Sequence, residues 1–365
     1  MHNRVLHQAQ PPPAVNGIQK PPKPGGYADS AADIAFALQS TSIIVVTPAE
    51  KPDLLTDLDW SFPDTPEGLV LAVQKARRVL PSTIDELVIW ANVVLFATHP
   101  LIPTLRSLAA DGQRPLKMRL MAQEPGDTEK YDDKEATNDL LRKHGLLLPR
   151  VSMLAADAAG AQPGDLIMHP SRTSLGVPLP VIVKPIRGRG SQGVSRVRTD
   201  EELRKAAVEL FTATFTECGK QLPTYGNRIL VEEFLSGDEY TVAVLPPGDY
   251  LNADGKTQHH DSYFALPPVR RSGHAGDVMP YSGHTPVARN SAVVSPQEAA
   301  LPHMRTLCRQ CEEAAALLKC RAPIRIDARK RSDTEVVLFD LNMKPNMTGP
   351  GRPGREVREL LPDRR

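Results

Sequence analysis

The chain has 365 residues, too many for one core of ordinary size and suited to two or three domains of about 100–150 residues each. Its 41% hydrophobic and 24% charged content is that of a globular protein and excludes wholesale disorder. The 44 basic and 43 acidic side chains leave a formal charge of +1, which excludes a general binder of nucleic acid or of anionic membranes and leaves anion binding to local clusters.

Residues 1–26 hold Pro11–Pro13 and the run Pro21–Pro24 without apolar periodicity, and they read as a flexible leader. No secretory signal opens the chain, and no apolar run of about 18 residues is present to span a membrane. The expected location is the cytoplasm, where Cys218, Cys308, Cys311 and Cys320 are reduced thiols. Cys308 and Cys311 form a CxxC with no second pair to complete a zinc site.

Ser42–Thr47, Leu87–Trp90 and Met118–Met121 read as strands, and Pro66–Val79 as a helix with Leu69, Val73 and Ala76 on one face. This alternation predicts an α/β N-terminal domain at 27–122 with a parallel sheet. Next comes a helix over Asp132–Lys143, with Asp132 or Asp133 near its cap and Gly145 as its stop. Pro180–Lys184 and Val194–Val197 are strands, and Asp200 is the expected cap of a helix over Glu201–Phe211. Ile229–Val231 and Tyr240–Leu245 are further strands. Residues 246–297 read as a long loop with short strands, Ser295–Lys319 as one helix, and Ile324–Ala328 with Val336–Leu341 as a hairpin. Within the long loop, 260–290 mixes cations (Arg270, Arg271) with glycines and Tyr281, and is expected to act as a mobile cover over a site.

Two clusters carry chemistry. The stretch from Val181 to Val197 holds Lys184 and then Gly188, Gly190, Ser191 and Gly193. These glycines satisfy GxGxxG, yet a strand follows the loop where a dinucleotide site needs a helix. Lys184 precedes the loop, unlike the lysine of a protein kinase. A strand–loop–strand of this kind can fold over phosphates, because glycine lets backbone N–H groups approach. A basic β-turn is the plainer alternative. The second cluster is Arg325-Ile326-Asp327 and Asp340-Leu341-Asn342. Period-2 alternation puts Arg325 with Asp327, and Asp340 with Asn342, on one face. Three oxygen ligands and a guanidinium suit Mg²⁺ bridging phosphates, and a surface salt bridge is the alternative.

Five blocks in this order resemble the ATP-grasp superfamily, and within it D-alanine–D-alanine ligase-like proteins. They are Asp133-Lys134, Val183-Lys184-Pro185 with its glycine loop, Val231–Thr241, Arg325–Asp327 and Asp340–Thr348. The resemblance covers residues from about 130 to 350. It implies an ATP-grasp fold of the α/β class with α+β lobes: a central lobe at 123–236 and a C-terminal lobe at 237–365 clasp ATP beside the N-terminal domain. It implies that Lys134 and Lys184 contact ATP phosphates, with Gly190 and Ser191 in the loop above them. The backbone of Glu232, Glu233, Phe234 and Leu235 would hold adenine and Glu239 the ribose. Asp327, Asp340 and Asn342 would hold two Mg²⁺ ions, and Arg325 would stabilise the transferring phosphoryl group. The reaction implied joins a small-molecule carboxylate to an amine through an acyl phosphate; the alternatives are a catalytically silent nucleotide binder and a carboxylate kinase or carboxylase. On the substrate side the likeness weakens. Gly190-Ser191 stands where the family has two serines, and Arg352 stands near where a serine binds the second substrate. The substrates are therefore expected to be amino-acid-like molecules other than D-alanine. No nucleic acid or membrane partner is expected, and a homodimer is an allowed assembly.

Overall fold

A computed structural model describes residues 2–7, 13–15, 18, 61–79, 86–92, 94–110, 117–156, 176–188, 191–217, 219–251, 256–272 and 291–345. The expected strand at 42–47, and Cys218, Gly190, Tyr281 and Arg352 among the singled-out residues, lie outside these.

The first unit is a four-stranded parallel sheet in the order β2 (Ser61–Pro63), β1 (His2–His7), β3 (Glu86–Asn92), β4 (Lys117–Met121). Helix α1 (Pro66–Val79) begins where Thr65 accepts the Gly68 N–H, and it buries Leu69, Ala72, Val73 and Ala76 at helical spacing. Together with α2 (Leu101–Ala110) it closes a core around Leu6, Phe62, Leu87 and Ile89. The reading of 1–26 as a flexible leader is corrected here: His2–His7 is an inner strand of the sheet. Val5 and Leu6 are its only aliphatic residues, too few to announce a strand, but Leu6 is fully buried between two neighbouring strands.

Helices α3 (Pro125–Tyr131) and α4 (Lys134–Lys143) follow. Asp133 caps α4 by accepting the Ala136 N–H at 3.0 Å. Leu141 of α4, with Leu146 and Leu148 after it, packs into the C-terminal core, so α4 reaches from that core to the central lobe. The central sheet runs β5 (Val151–Ala155), β10 (Arg228–Glu233), β6 (Val181–Pro185), β7 (Ser195–Val197), all antiparallel. Helix α5 (Asp200–Thr212) packs on it through Leu203, Ala207 and Leu210. Its cap is Thr199, which accepts the Glu202 N–H, where Asp200 was expected; Asp200 is already helical and sits in the first turn. A small hairpin, β8 (Thr214–Glu217) with β9 (Lys220–Pro223), stands apart.

The C-terminal sheet is ordered β16 (Ser291–Val293), β15 (Val269–Arg271), β11 (Glu239–Leu245), β17 (Ile324–Lys330), β18 (Val336–Asn342), and β14 (Phe264–Ala265) also pairs with β11. A hairpin of β12 (Gly248–Leu251) and β13 (Thr257–His260) hangs from it. The single helix expected over Ser295–Lys319 is two, α6 (Pro296–Ala299) and α7 (Pro302–Leu317). Pro302 has no N–H to continue a helix and opens the second one instead. Helix α7 buries Met304, Leu307, Cys311, Ala314 and Ala315 against the sheet. Leu307→Ala would cost about 2–5 kcal/mol by transfer and cavity terms. Burial pushes the Cys308 thiol up to about 11 and Cys320 up to about 12, so both are inert thiols at neutral pH. The N-terminal domain is tied to this lobe by Gln123, whose amide donates to Ala322 O at 2.9 Å and accepts the Arg321 N–H at 2.9 Å.

Candidate functional site

The chemistry-bearing side chains converge where the central sheet faces the C-terminal sheet. On β6 the side chains alternate: Val181 and Val183 enter the lobe core, while Lys184 leaves it toward the other lobe. Lys184 Nζ donates to Phe339 O of β18 at 3.0 Å and pairs with Glu232 Oε2 at 2.7 Å, with both side chains about 95% buried. Asn138 of α4 is 3.5 Å from the second Glu232 oxygen. Two buried charges persist together because each compensates the other.

Lys134 stands at the first position of α4. Its ammonium lies 3.2 Å from Asp340 Oδ1 on β18 and 3.4 Å from Gly188 O in the glycine loop. Burial works to lower the Lys134 pKa, but the Asp340, Asp132 and Glu232 carboxylates outweigh it and hold the group above the usual lysine value. For Asp340 burial works upward, and Lys134, Lys184 and Arg325 outweigh it, so the carboxyl lies below its ordinary range. Each group thus keeps the other charged across the gap between lobes.

The hairpin forms as expected, and the structure gives its register. Asp327 faces Asp340 and Arg325 faces Asn342, with a bulge just after Asp327. Asp327 accepts from Thr241 Oγ1 at 2.8 Å and from Arg325 Nη2 at 3.0 Å. Asn342 Oδ1 accepts the Lys344 N–H. Asp340 Oδ1 is buried and takes no well-aligned hydrogen bond among the described residues; the Lys134 ammonium faces it. Among the described residues no three His, Cys, Asp or Glu side chains gather into a cage of their own, so a cation at this donor set needs further oxygens from a ligand.

The link between lobes, residues 234–238, carries the remaining positions. Glu233 is held by Arg331 through two bonds of 3.1 Å and by Arg150, one arginine from each lobe. Burial pushes its pKa up, but these bonds win and hold it below the usual value, which marks a structural carboxylate. Phe234 lies under the Arg196 guanidinium at 3.9 Å, with Arg329 5.8 Å from the ring. Leu235 is buried. Glu239, at the start of β11, is 3.8 Å from Arg329 Nε. Gly237 presses on Lys330: a Cβ there would sit 2.5 Å from the Lys330 Cβ and 2.7 Å from its carbonyl oxygen. Gly193 closes the glycine loop with φ +71°, where a Cβ would meet Leu210 at 2.7 Å, and Ser191 lies exposed beside it.

One expectation is corrected. Arg270 and Arg271 do not act as a pair over the site, because neighbours on a strand face opposite ways. Arg270 is in register with Tyr240 on the core side of the sheet and pairs with Glu298, which also accepts from the Tyr240 hydroxyl. Burial pushes that hydroxyl up to about 12. Arg271 is in register with Glu239 on the face of Thr241 and Asp327. Thr241, Arg187, Arg196 and Arg329 were not singled out from sequence. Thr241 could have been, since period 2 from Glu239 puts it on the same face.

An ATP-grasp domain model matches residues 177–261. D-alanine–D-alanine ligase of Cupriavidus taiwanensis is 28% identical over 60% of this chain and 55% of its own length. That of Nitratidesulfovibrio vulgaris is 31% identical over 59% and 58%. The chain thus spans little more than half the length of these curated relatives. Among solved structures, the D-alanine–D-alanine ligase from Bacillus anthracis complexed with ATP aligns with a TM-score of 0.53 at 17% identity, over 95% of this chain and 88% of that one. The Coxiella burnetii ligase aligns with 0.56 at 15% identity, over 99% and 91%. Residues 177–261 thus match an ATP-grasp domain, and the chain as a whole is similar to D-alanine–D-alanine ligases in sequence and in fold.

Proposed function

We propose that the chain is an ATP-dependent carboxylate–amine ligase acting through an acyl phosphate on amino-acid-like small molecules other than D-alanine. The observation that carries this reading is the meeting of Lys134 and Asp340 at 3.2 Å across the lobes, flanked by Lys184 and Arg325. A carboxylate gives up no acyl group until its oxygen is made a leaving group. Phosphoryl transfer asks mainly for positioning and charge neutralisation, which this arrangement supplies.

In this reading Lys134 and Lys184 draw the phosphates to the glycine loop, with Gly190 and Ser191 in its backbone. Glu232 to Leu235 present the base-binding edge, and Glu239 receives the ribose hydroxyls. Asp327, Asp340 and Asn342 would hold Mg²⁺, two ions in the fullest form. The fit rests on an all-oxygen donor set that includes the buried Asp340 Oδ1. A cation held there would supply charge neutralisation to the phosphate oxygens. Arg325, held by Asp327, would offer its charge to the transferring phosphoryl group and the acyl oxygen. The neutral amine then attacks the acyl carbon, inorganic phosphate leaves with the C–O bond pair, and the nitrogen gives up a proton to the departing phosphate or to water.

Among the described residues no helix is long and apolar enough to cross a membrane. Small-molecule partners, a cytoplasmic location and a homodimer as one allowed assembly complete the reading. The test is ADP release over paired acids and amines, followed by mass spectrometry of the product. The reading requires release that depends on both an acid and an amine. Release with the acid alone makes the protein a carboxylate kinase. Binding of MgATP, seen as a raised Tm, with no release over the whole set makes it a silent nucleotide binder.

A further inference from the structure

Arg187 has no part in the chemistry above, yet its guanidinium is one of the most deeply buried charges among the described residues, at 7% exposure. It follows β6 and precedes Gly188 in the glycine loop. Nη1 lies 3.6 Å from Asp132 and donates to Glu129 O at 3.1 Å, and Nη2 lies 3.5 Å from Asp133. Glu129 lies in the last turn of α3, and Asp132 and Asp133 form the link from it to α4. Asp133 is also the cap of α4, and the next residue is Lys134. Lys134 in turn meets the loop twice, through its N–H to Ile186 O at 3.2 Å and its ammonium to Gly188 O.

We propose that Arg187 is a positioning residue: it fastens the α3–α4 turn to the glycine loop and so sets where the Lys134 ammonium stands relative to the loop and Asp340. A buried guanidinium that spans two carboxylates and a carbonyl defines a distance and an angle, which a point-charge ammonium does not. The same turn reaches the N-terminal domain, because the Glu129 carboxylate accepts the Ala97 N–H at 3.1 Å. Arg187 therefore sits where the phosphate loop, the Lys134 helix and the N-terminal domain are joined. The chemical meaning of the placement rests on the ligase reading; the placement itself is independent of it.

The test separates the two. Lysine accessibility is read without turnover, by labelling the native protein with a limiting acetylating reagent and quantifying Lys134 and Lys184 by mass spectrometry. In Arg187→Lys, Lys134 labelling is expected to rise about fivefold or more over wild type. Lys184, buried against Glu232 and Phe339 O, is the internal control and stays unchanged. Asp133→Asn retains a capping oxygen for the Ala136 N–H and removes the charge opposite Arg187, so it should raise Lys134 labelling in the same direction by a smaller factor even if Arg187→Lys folds poorly. With an acid–amine pair that supports ADP release, kcat of Arg187→Lys should fall at least tenfold while KM for ATP stays within about threefold. Unchanged Lys134 labelling in both variants overturns the inference, as does an equal rise at Lys184, which reports general loosening. If wild type releases no ADP with any pair, the ligase reading falls and the labelling result still decides the role of Arg187.

Discussion

The two lobes meet with opposite charge and very different burial. The central lobe and its attached helix bring Lys134 and Lys184 to the cleft; the hairpin of the C-terminal lobe brings Asp327 and Asp340. Lys184 is sealed against Glu232 of its own lobe, whereas Lys134 reaches across to Asp340 with both side chains partly open to solvent, at 20% and 32% exposure. A sealed pair keeps its geometry, because breaking it strands a charge, so in the ligase reading Lys184 acts on the phosphates without leaving Glu232. An open pair can exchange its partner for a ligand, because water or phosphate is at hand to replace what is lost.

Four measurements break or sharpen that contrast. The largest effect is expected at Asp340, the open acid. Asp340→Asn should reduce ADP release by more than about 10³, equivalent to about 4 kcal/mol in the barrier, while the urea midpoint stays near wild type. Turnover at the wild-type rate would remove it from the site. Glu232→Gln should do the reverse and leave Lys184 buried without a counter-charge, at a cost of about 3–5 kcal/mol of stability. A urea midpoint that does not move would mean the sealed pair is dispensable. Third, Arg325→Lys should keep MgATP affinity within a few-fold, about 1 kcal/mol, and lose about 10²–10³ in kcat. Lost affinity with the rate at saturation kept would make Arg325 a ground-state ligand.

The smallest effect is one of pH. Asp340 titrates below its ordinary 3.8, so its share of stability is present above that value and lost as pH falls through the depressed one. Lys134 titrates above its ordinary 10.5, so its share is present below that value and lost as pH rises through the raised one. The difference in unfolding free energy between wild type and Asp340→Asn should therefore be flat from roughly pH 5 to 9. A slope in that window, measured by urea titration at several pH values, would show that one partner is not fully charged.

Legibility in the sequence followed the same division. Elements whose evidence is local were readable. Helix α1 has the predicted bounds because Leu69, Val73 and Ala76 recur at helical spacing, and the β17–β18 hairpin forms where alternation within each strand showed which side chains share a face. The blocks around Lys134, Lys184, Asp327 and Asp340 were readable as a set, and the structure brings them to one cleft. What was hidden is long-range choice of partner. Nothing local says that Lys184 takes Glu232, that Arg187 takes the Asp132–Asp133 turn, or that Glu233 holds Arg150 and Arg331. Arg270 and Arg271 were read as one basic pair because adjacency in sequence is conspicuous, while the alternation of a strand that separates them depends on knowing that a strand is there.

The inner position of His2–His7 sets an order of events during synthesis. This strand leaves the ribosome before both of its pairing surfaces, Ser61–Pro63 on one side and Glu86–Asn92 on the other. Parallel neighbours across so long an intervening chain carry a large loop-closure entropy and cannot form in passing. The nascent chain must therefore carry this strand unpaired until Glu86–Asn92 has emerged to enclose it.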